Sequence, residues 1–319
     1  MLVFPFGFNS NQDNPNFSTT LYTGNGGTQS IVTRKNNAAG SLTWIKQRTG
    51  GASHRLFDTV RGATKYLQSN DTLGEATDAT TLSAFNSTGF SLGANTTVNA
   101  NSEDYVAWTF LEAAGFFDIV SYTGNNSART IAHNLNAPVG CIIVKTLGIG
   151  SWFVYHRSMN GGVNPQNHFM FFNTAASEAL QGTYWNGTQP TNSVFSLGAA
   201  TGTDTSNLSS LPYIAYLFAH NPSKKIACDA FTTDGSGVAS VTLGFAPKWL
   251  LFKASNATQN WYIVDVKRGW TLSPIQDAVL NPNTSDAEIS SALGGYPTAN
   301  GFEMTDLSPS TDYIYIAIG

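Results

Sequence analysis

The chain has 319 residues, a net charge of −4, and 41 % hydrophobic but only 11 % charged residues, where about a quarter charged is usual. It has no charge run that would mark a disordered tail, no basic excess for nucleic acid, and no apolar stretch of the roughly 18 residues a membrane span needs. Small polar residues and 30 glycines stand where the charge would be, and the profile reads as a neutral, turn-rich, all-β protein.

Residues 1–20 come first. Their apolar positions Leu2, Val3, Phe4, Phe6 and Phe8 are interrupted by Pro5 and Gly7 and lack a positive leader, so they do not read as a signal peptide. They read as an N-terminal docking arm, or equally as a first edge strand. The chain then repeats itself. LYTGNGGTQSI begins at Leu21, SYTGNNSARTI at Ser121 and AFTTDGSGVASV at Ala230. Each block runs into an apolar segment ending in lysine, at Lys46, Lys145 and Lys253. A second apolar segment follows, HRLFDTVRG, SWFVYHRSMNG or NWYIVDVKRG. Next comes an Asn with a Glu five residues later: Asn70 and Glu75, Asn173 and Glu178, Asn283 and Glu288. Each block closes on a tyrosine-led segment, DYVAWTF, PYIAYLF or DYIYIAI, whose leading tyrosines are spaced 108 and 100 residues apart. This is tandem triplication, with modules at 21–110, 121–220 and 230–319. Units near 100 residues are the size of small domains rather than of solenoid repeats. Of the connecting segments, LEAAGFFDIV is apolar and NPSKKIACD holds Pro222 and two lysines; an apolar linker does not behave as a free tether, so the modules are expected to pack on one another.

Within a module, aromatic and β-branched alternation predicts strands, and the continuous runs CIIVK and WLLFK predict strands buried on both faces. Thr72-x-x-Glu75 and Ser285-x-x-Glu288 match a capping box and predict one short helix per module. The expected fold is three β-sandwich-like modules of about seven strands each.

Chemistry is sparse. The five histidines, His54, His133, His156, His168 and His220, show no metal-ligand spacing, and Cys141 and Cys228 read as buried free thiols. No nucleophile elbow or phosphate loop occurs, so no catalytic, cofactor or metal residue is assigned. Asp58-x-x-Arg61 recurs as Asp265-x-x-Arg268 but is lost in module two. A catalytic acid would survive in every active copy, so these read as structural pairs. The repeated Lys46, Lys145 and Lys253 could pair with Glu75, Glu178 and Glu288. Trp152, Tyr155, Trp185, Trp261 and Trp270 gather in modules two and three beside Asn and Asp, as a glycan- or protein-contacting face would use them.

The pattern from Trp44 to Phe110, W-I-K-x-R, H-R-L-F-D-x-V-R-G, L-x-S-N, G-F-S-L-G and D-Y-V-A-W-T-F, resembles a repeat of tail-fibre-like and other virion structural proteins of cyanobacterial and marine bacteriophages. Modules two and three are similar to the same pattern. Module two lacks the Asp-x-x-Arg-Gly unit, and both lack the W-I-K-x-R form. The resemblance implies a non-enzymatic protein displayed on the surface of the phage particle, a tail fibre or appendage with host-surface glycan among its contacts. Its partners would be other virion proteins, with homotrimerisation allowed and neither nucleic acid nor membrane insertion expected. A capsid decoration (cement) protein is the alternative, since three homologous modules can form a pseudo-threefold body from one chain. A glycan-cleaving enzyme is the third reading and the weakest supported.

Overall fold

The computed structural model describes residues 14–199, 202–271, 277–290 and 293–319. The docking-arm residues Leu2, Val3, Phe4, Phe6 and Phe8 lie outside the described residues. Module one comprises β1 (Phe17–Thr23), β2 (Gln29–Val32), β3 (Ser41–Gln47), β4 (Arg55–Asp58), β5 (Lys65–Tyr66), β6 (Ala76–Thr77), β7 (Leu82–Asn86), β8 (Gly89–Leu92), α1 (Thr96–Asn99) and β9 (Asp104–Leu111). Module two comprises β10 (Phe117–Thr123), β11 (Arg129–Ala132), β12 (Val139–Thr146), β13 (Trp152–His156), β14 (His168–Phe171), β15 (Ala179–Leu180), β16 (Val194–Leu197) and β17 (Pro212–Ala219). Module three comprises β18 (Ile226–Thr232), β19 (Ala239–Thr242), β20 (Trp249–Ala254), β21 (Tyr262–Asp265), β22 (Ala278–Val279), β23 (Ile289–Ser290), β24 (Gly294–Thr298), β25 (Gly301–Thr305) and β26 (Asp312–Ile318). The protein is all-β, and its large sheets share one order: β1-β9-β3-β4, β10-β17-β12-β13 (extended by β14 and β15) and β18-β26-β20-β21. A smaller sheet covers each, β2-β8-β7, β11-β16 and β19-β25-β24.

The first strands start at Phe17, Phe117 and Ile226, four residues ahead of the limits read from the repeat. These apolar residues are buried in the core, and about half of each connecting segment is drawn into the sheets. One register recurs in the three large sheets. Tyr22 stands opposite Tyr105, Tyr122 opposite Tyr213 and Phe231 opposite Tyr313, and the rings stack with centroids 5.1 Å apart in all three modules. Next to these pairs the backbone comes close: a Cβ on Gly24 would lie 2.1 Å from the Ala100 carbonyl, and one on Gly124 would lie 2.0 Å from that of Leu208. Only glycine fits there, which explains the YTGN motif of modules one and two.

The central strands of each large sheet are buried on both faces, and in modules one and three the alternation of side chains assigns the faces to two cores. On β9, Tyr105 and Ala107 enter module one's own core, whereas Val106, Trp108 and Phe110 enter a core shared by all three modules. On β26, Tyr313, Tyr315 and Ala317 face module three's own core, and Ile314, Ile316 and Ile318 the shared one. This period of 2 with no polar face is why the strands read as continuous apolar runs.

The expected helices are absent. Thr72–Glu75 and Ser285–Glu288 are loops: the Glu75 and Glu288 amides, which a capping box would bind to the Thr72 and Ser285 hydroxyls, donate instead to carbonyls of neighbouring modules. The one α-helix among the described residues is α1, capped by the Asn95 side chain accepting from the Thr97 amide.

Candidate functional site

Three sets of hydrogen bonds run between modules, and each set goes round the molecule. The amide of Glu75 donates to the Leu147 carbonyl, that of Glu178 to Ser255 and that of Glu288 to Arg48, each at 2.8 Å. These carbonyls lie two residues after Lys145, Lys253 and Lys46, so module one grips two, two grips three and three grips one. The second set runs in the opposite sense. Trp152 Nε1 donates to the Gln68 carbonyl (2.9 Å), Trp261 Nε1 to Phe171 (3.1 Å) and His54 Nε2 to Asn281 (3.1 Å). The His54 tautomer follows from its other nitrogen, because Nδ1 accepts from Trp44 Nε1 at 2.9 Å and so leaves the proton on Nε2. The backbone of each ring-bearing residue is held by the repeated asparagine: Asn70 Oδ1 accepts from the His54 amide, Asn173 from Trp152 and Asn283 from Trp261. The residues just before these asparagines meet at the centre. Ser69 Oγ donates to the Pro282 carbonyl at 2.7 Å, and the Phe172 ring contacts Trp44, Trp152 and Trp261 at centroid distances of 5.8, 6.3 and 4.9 Å. The three modules therefore form a closed pseudo-threefold ring.

The third set explains the Asp–Arg pairs. Asp58, His156 and Asp265 occupy one position, opposite Leu42, Cys141 and Trp249 in register. Asp58 binds Arg61 at 2.5 Å and accepts from the Tyr216 hydroxyl of module two at 2.7 Å. Asp265 binds Arg268 at 2.6 Å and accepts from Trp108 Nε1 of module one at 3.0 Å, while the Arg268 guanidinium lies 5.3 Å from the Trp108 ring. At the third joint the partner position is Ile316, which has no donor. There the acid is His156 and the arginine position is Met159, both buried. His156 Nδ1 accepts from the Ser158 amide, so Nε2 donates to the Tyr315 carbonyl of module three at 3.0 Å. A buried carboxylate needs donors, and where the neighbour has none the joint changes to a neutral donor with a thioether beside it. Both Asp–Arg pairs are buried ion pairs that take a hydrogen bond across a joint, and in module two His156 makes the cross-joint bond from the same position. Trp108, Tyr216, His156 and Met159 were not singled out in the sequence, although the register of the tyrosine-led strands holds the signal: Trp108, Tyr216 and Ile316 each stand three residues after the leading tyrosine.

The lysines do not pair with the glutamates. Lys46 Nζ donates to the carbonyls of Gln47, Gly50 and, across the joint, Ser285, at 2.7 to 3.2 Å. Lys145 caps Thr146 and Gly148, and Lys253 caps Ala254 and Ala257. Burial pushes all three ammonium groups down to about 8. The glutamates go elsewhere: Glu288 bridges Arg48 of module one and Arg268, Glu75 lies beside Arg61 and Lys65, and Glu178 accepts from the Asn160 amide.

The aromatic residues expected on a glycan face are all buried: Trp152, Tyr155, Trp185, Trp261 and Trp270 expose 3 % or less. Trp185 donates to the His168 carbonyl and packs edge-on against Tyr155, and Trp270 lies against Phe302. Trp152 and Tyr155 lie on opposite, equally buried faces of β13, Trp185, Trp261 and Trp270 are buried outside the strands, and none of the five rings offers a face on which a sugar could stack. Cys141 and Cys228 are buried and unbridged, and burial raises both thiols above their ordinary range. Among the described residues no three His, Cys, Asp or Glu side chains converge as metal ligands.

Two comparisons with known proteins bear on identity. No curated protein matches the chain. A family model described as a domain of unknown function, DUF7483, matches residues 13–319, so a single family unit spans the whole ring rather than one module. The chain belongs to the DUF7483 family.

Proposed function

We propose that this protein is a non-catalytic structural component of a bacteriophage particle, built as a pseudo-trimer in one chain. The observation that carries the proposal is the closure of the ring. The repeated His, Trp, Asp, Arg, Lys and Glu residues, which are the groups chemistry would draw on, are engaged in the joints and loops that hold three modules together. The resemblance of the modules to virion repeats supplies the setting. Within that setting the compact ring favours capsid decoration over an extended tail fibre. A body of this symmetry suits a threefold or local-threefold position on a shell, and one chain already provides what a homotrimer would otherwise supply. Glycan binding through the tryptophans has lost its support with their burial.

Copy number in purified particles, measured by quantitative mass spectrometry against the major capsid protein, tests the proposal. Hundreds of copies are expected for decoration. A few to a few tens would place the protein on the tail, and absence from particles would overturn the structural role.

A further inference from the structure

The joint between modules one and three carries a groove of about 440 Å³ that the ring contacts do not fill. One wall is β1, the edge strand of its sheet, whose outer side pairs with no strand among the described residues. Four cationic side chains line the groove: Arg34 and Lys35 from the turn after β2, and Lys248 and Lys267 from module three. Arg34 and Lys267 are exposed, and Lys35 donates to the Asn14 carbonyl at 2.6 Å. No carboxylate is among the lining residues, although the chain as a whole is acidic. Leu21 and Val32 add exposed apolar surface, 39 % and 62 % accessible. The internal repeat provides a control. By register, Gly244 and Phe245 of module three and Asn134 and Leu135 of module two stand where Arg34 and Lys35 do, and Ser158 and Val60 stand where Lys267 does, so none of these positions is cationic at the other two joints. The basic character therefore belongs to one joint and is not a consequence of the repeated fold.

We propose that this groove binds an extended, carboxylate-bearing peptide segment of a partner protein, which adds to β1 as a further antiparallel strand. The strand edge offers main-chain hydrogen bonds, the exposed Arg34 and Lys267 take alternate acidic side chains, and Leu21 and Val32 take the apolar positions between them. Five residues of β1, Phe17–Leu21, line the groove, so it accepts roughly 17 Å of extended chain. The site stands on its own geometry and holds whichever position the protein takes on a particle.

The test uses the full chain and a fluorescein-labelled eight-residue peptide of alternating threonine and glutamate, read by fluorescence anisotropy at low salt. Saturable binding is expected, weakened at least tenfold by the double substitution Arg34→Gln/Lys267→Gln, whose exposed positions leave the melting temperature unchanged. A peptide of the same charge with alternate amides N-methylated is expected to lose at least tenfold as well, because it cannot pair with the edge. Equal binding of the methylated peptide would reduce the groove to unspecific attraction of anions and overturn strand addition. Unchanged binding by the double variant would overturn the site. If wild type does not bind and the double variant self-associates, the cations are guards against edge-to-edge pairing, and the proposal is wrong.

Discussion

At the scale of single residues, the joints show how a buried ionisable group is selected by what faces it. Asp58 accepts from Arg61 and from a hydroxyl of the next module, and all three groups are out of water. Asp58→Asn leaves Arg61 without its close counter-charge and is expected to cost about 3–5 kcal/mol, measured by urea unfolding. The third joint supplies a cure. In the triple variant Asp58→His, Arg61→Met, Tyr216→Ile, the introduced imidazole would face the Ala215 carbonyl, the counterpart of Tyr315. Most of the stability lost by Asp58→His alone is expected to return. Additive losses in the triple variant would contradict a matched joint. His156 gives a pH signature. Burial pulls its imidazole from 6.5 down to about 4, because the charged form would lose its hydration, against the smaller opposing pull of the Tyr315 carbonyl; protonating Nδ1 would also set a second donor against the Ser158 amide. A histidine that is harder to protonate folded than unfolded contributes full stability above pH 6.5. That contribution is lost as pH falls from there to about 4, by about 3 kcal/mol in all. His156→Gln, whose amide can still donate to the Tyr315 carbonyl, is expected to flatten this part of the stability profile relative to wild type.

At the scale of elements, the strands were legible and their contacts were not. CIIVK and WLLFK announce burial on both faces, and β12 and β20 have it. The tyrosine-led segments became the central strands of all three large sheets. What sequence could not supply was which core each residue enters, because a period of 2 says that neighbours point apart and not what lies on either side. The same gap misled the reading of the aromatics. Trp152 and Tyr155 occupy opposite faces of β13, yet both are buried. The capping boxes failed for a related reason. Thr72-x-x-Glu75 has the local chemistry of a helix start, but the Glu75 amide is taken by a carbonyl of another module, a competitor that local sequence does not reveal. Adjacent residues on β20 test the two-core arrangement: Leu250→Ala and Leu251→Ala are each expected to destabilise by roughly 2–5 kcal/mol in denaturant unfolding. A sheet with one wet face would leave one of the two nearly silent.

At the scale of the whole molecule, triplication was evident from order and spacing, but ring or rod was not. The decision rests on contacts between residues more than 200 positions apart, such as His54 to Asn281, Lys46 to Ser285 and Arg48 to Glu288, which join module one to module three. A rod would leave these groups, and the Trp44, Trp108 and Trp249 side chains of the shared core, in water. The three cores are thus one cooperative body, and the pseudo-threefold shape that supports the particle role depends on closure. The radius of gyration in solution, from small-angle X-ray scattering on the monomer, measures closure most directly. A closed ring of 319 residues is expected at about 20 Å, as for a single compact body. Three modules of about 100 residues strung end to end would give close to 30 Å, and that value would contradict the ring.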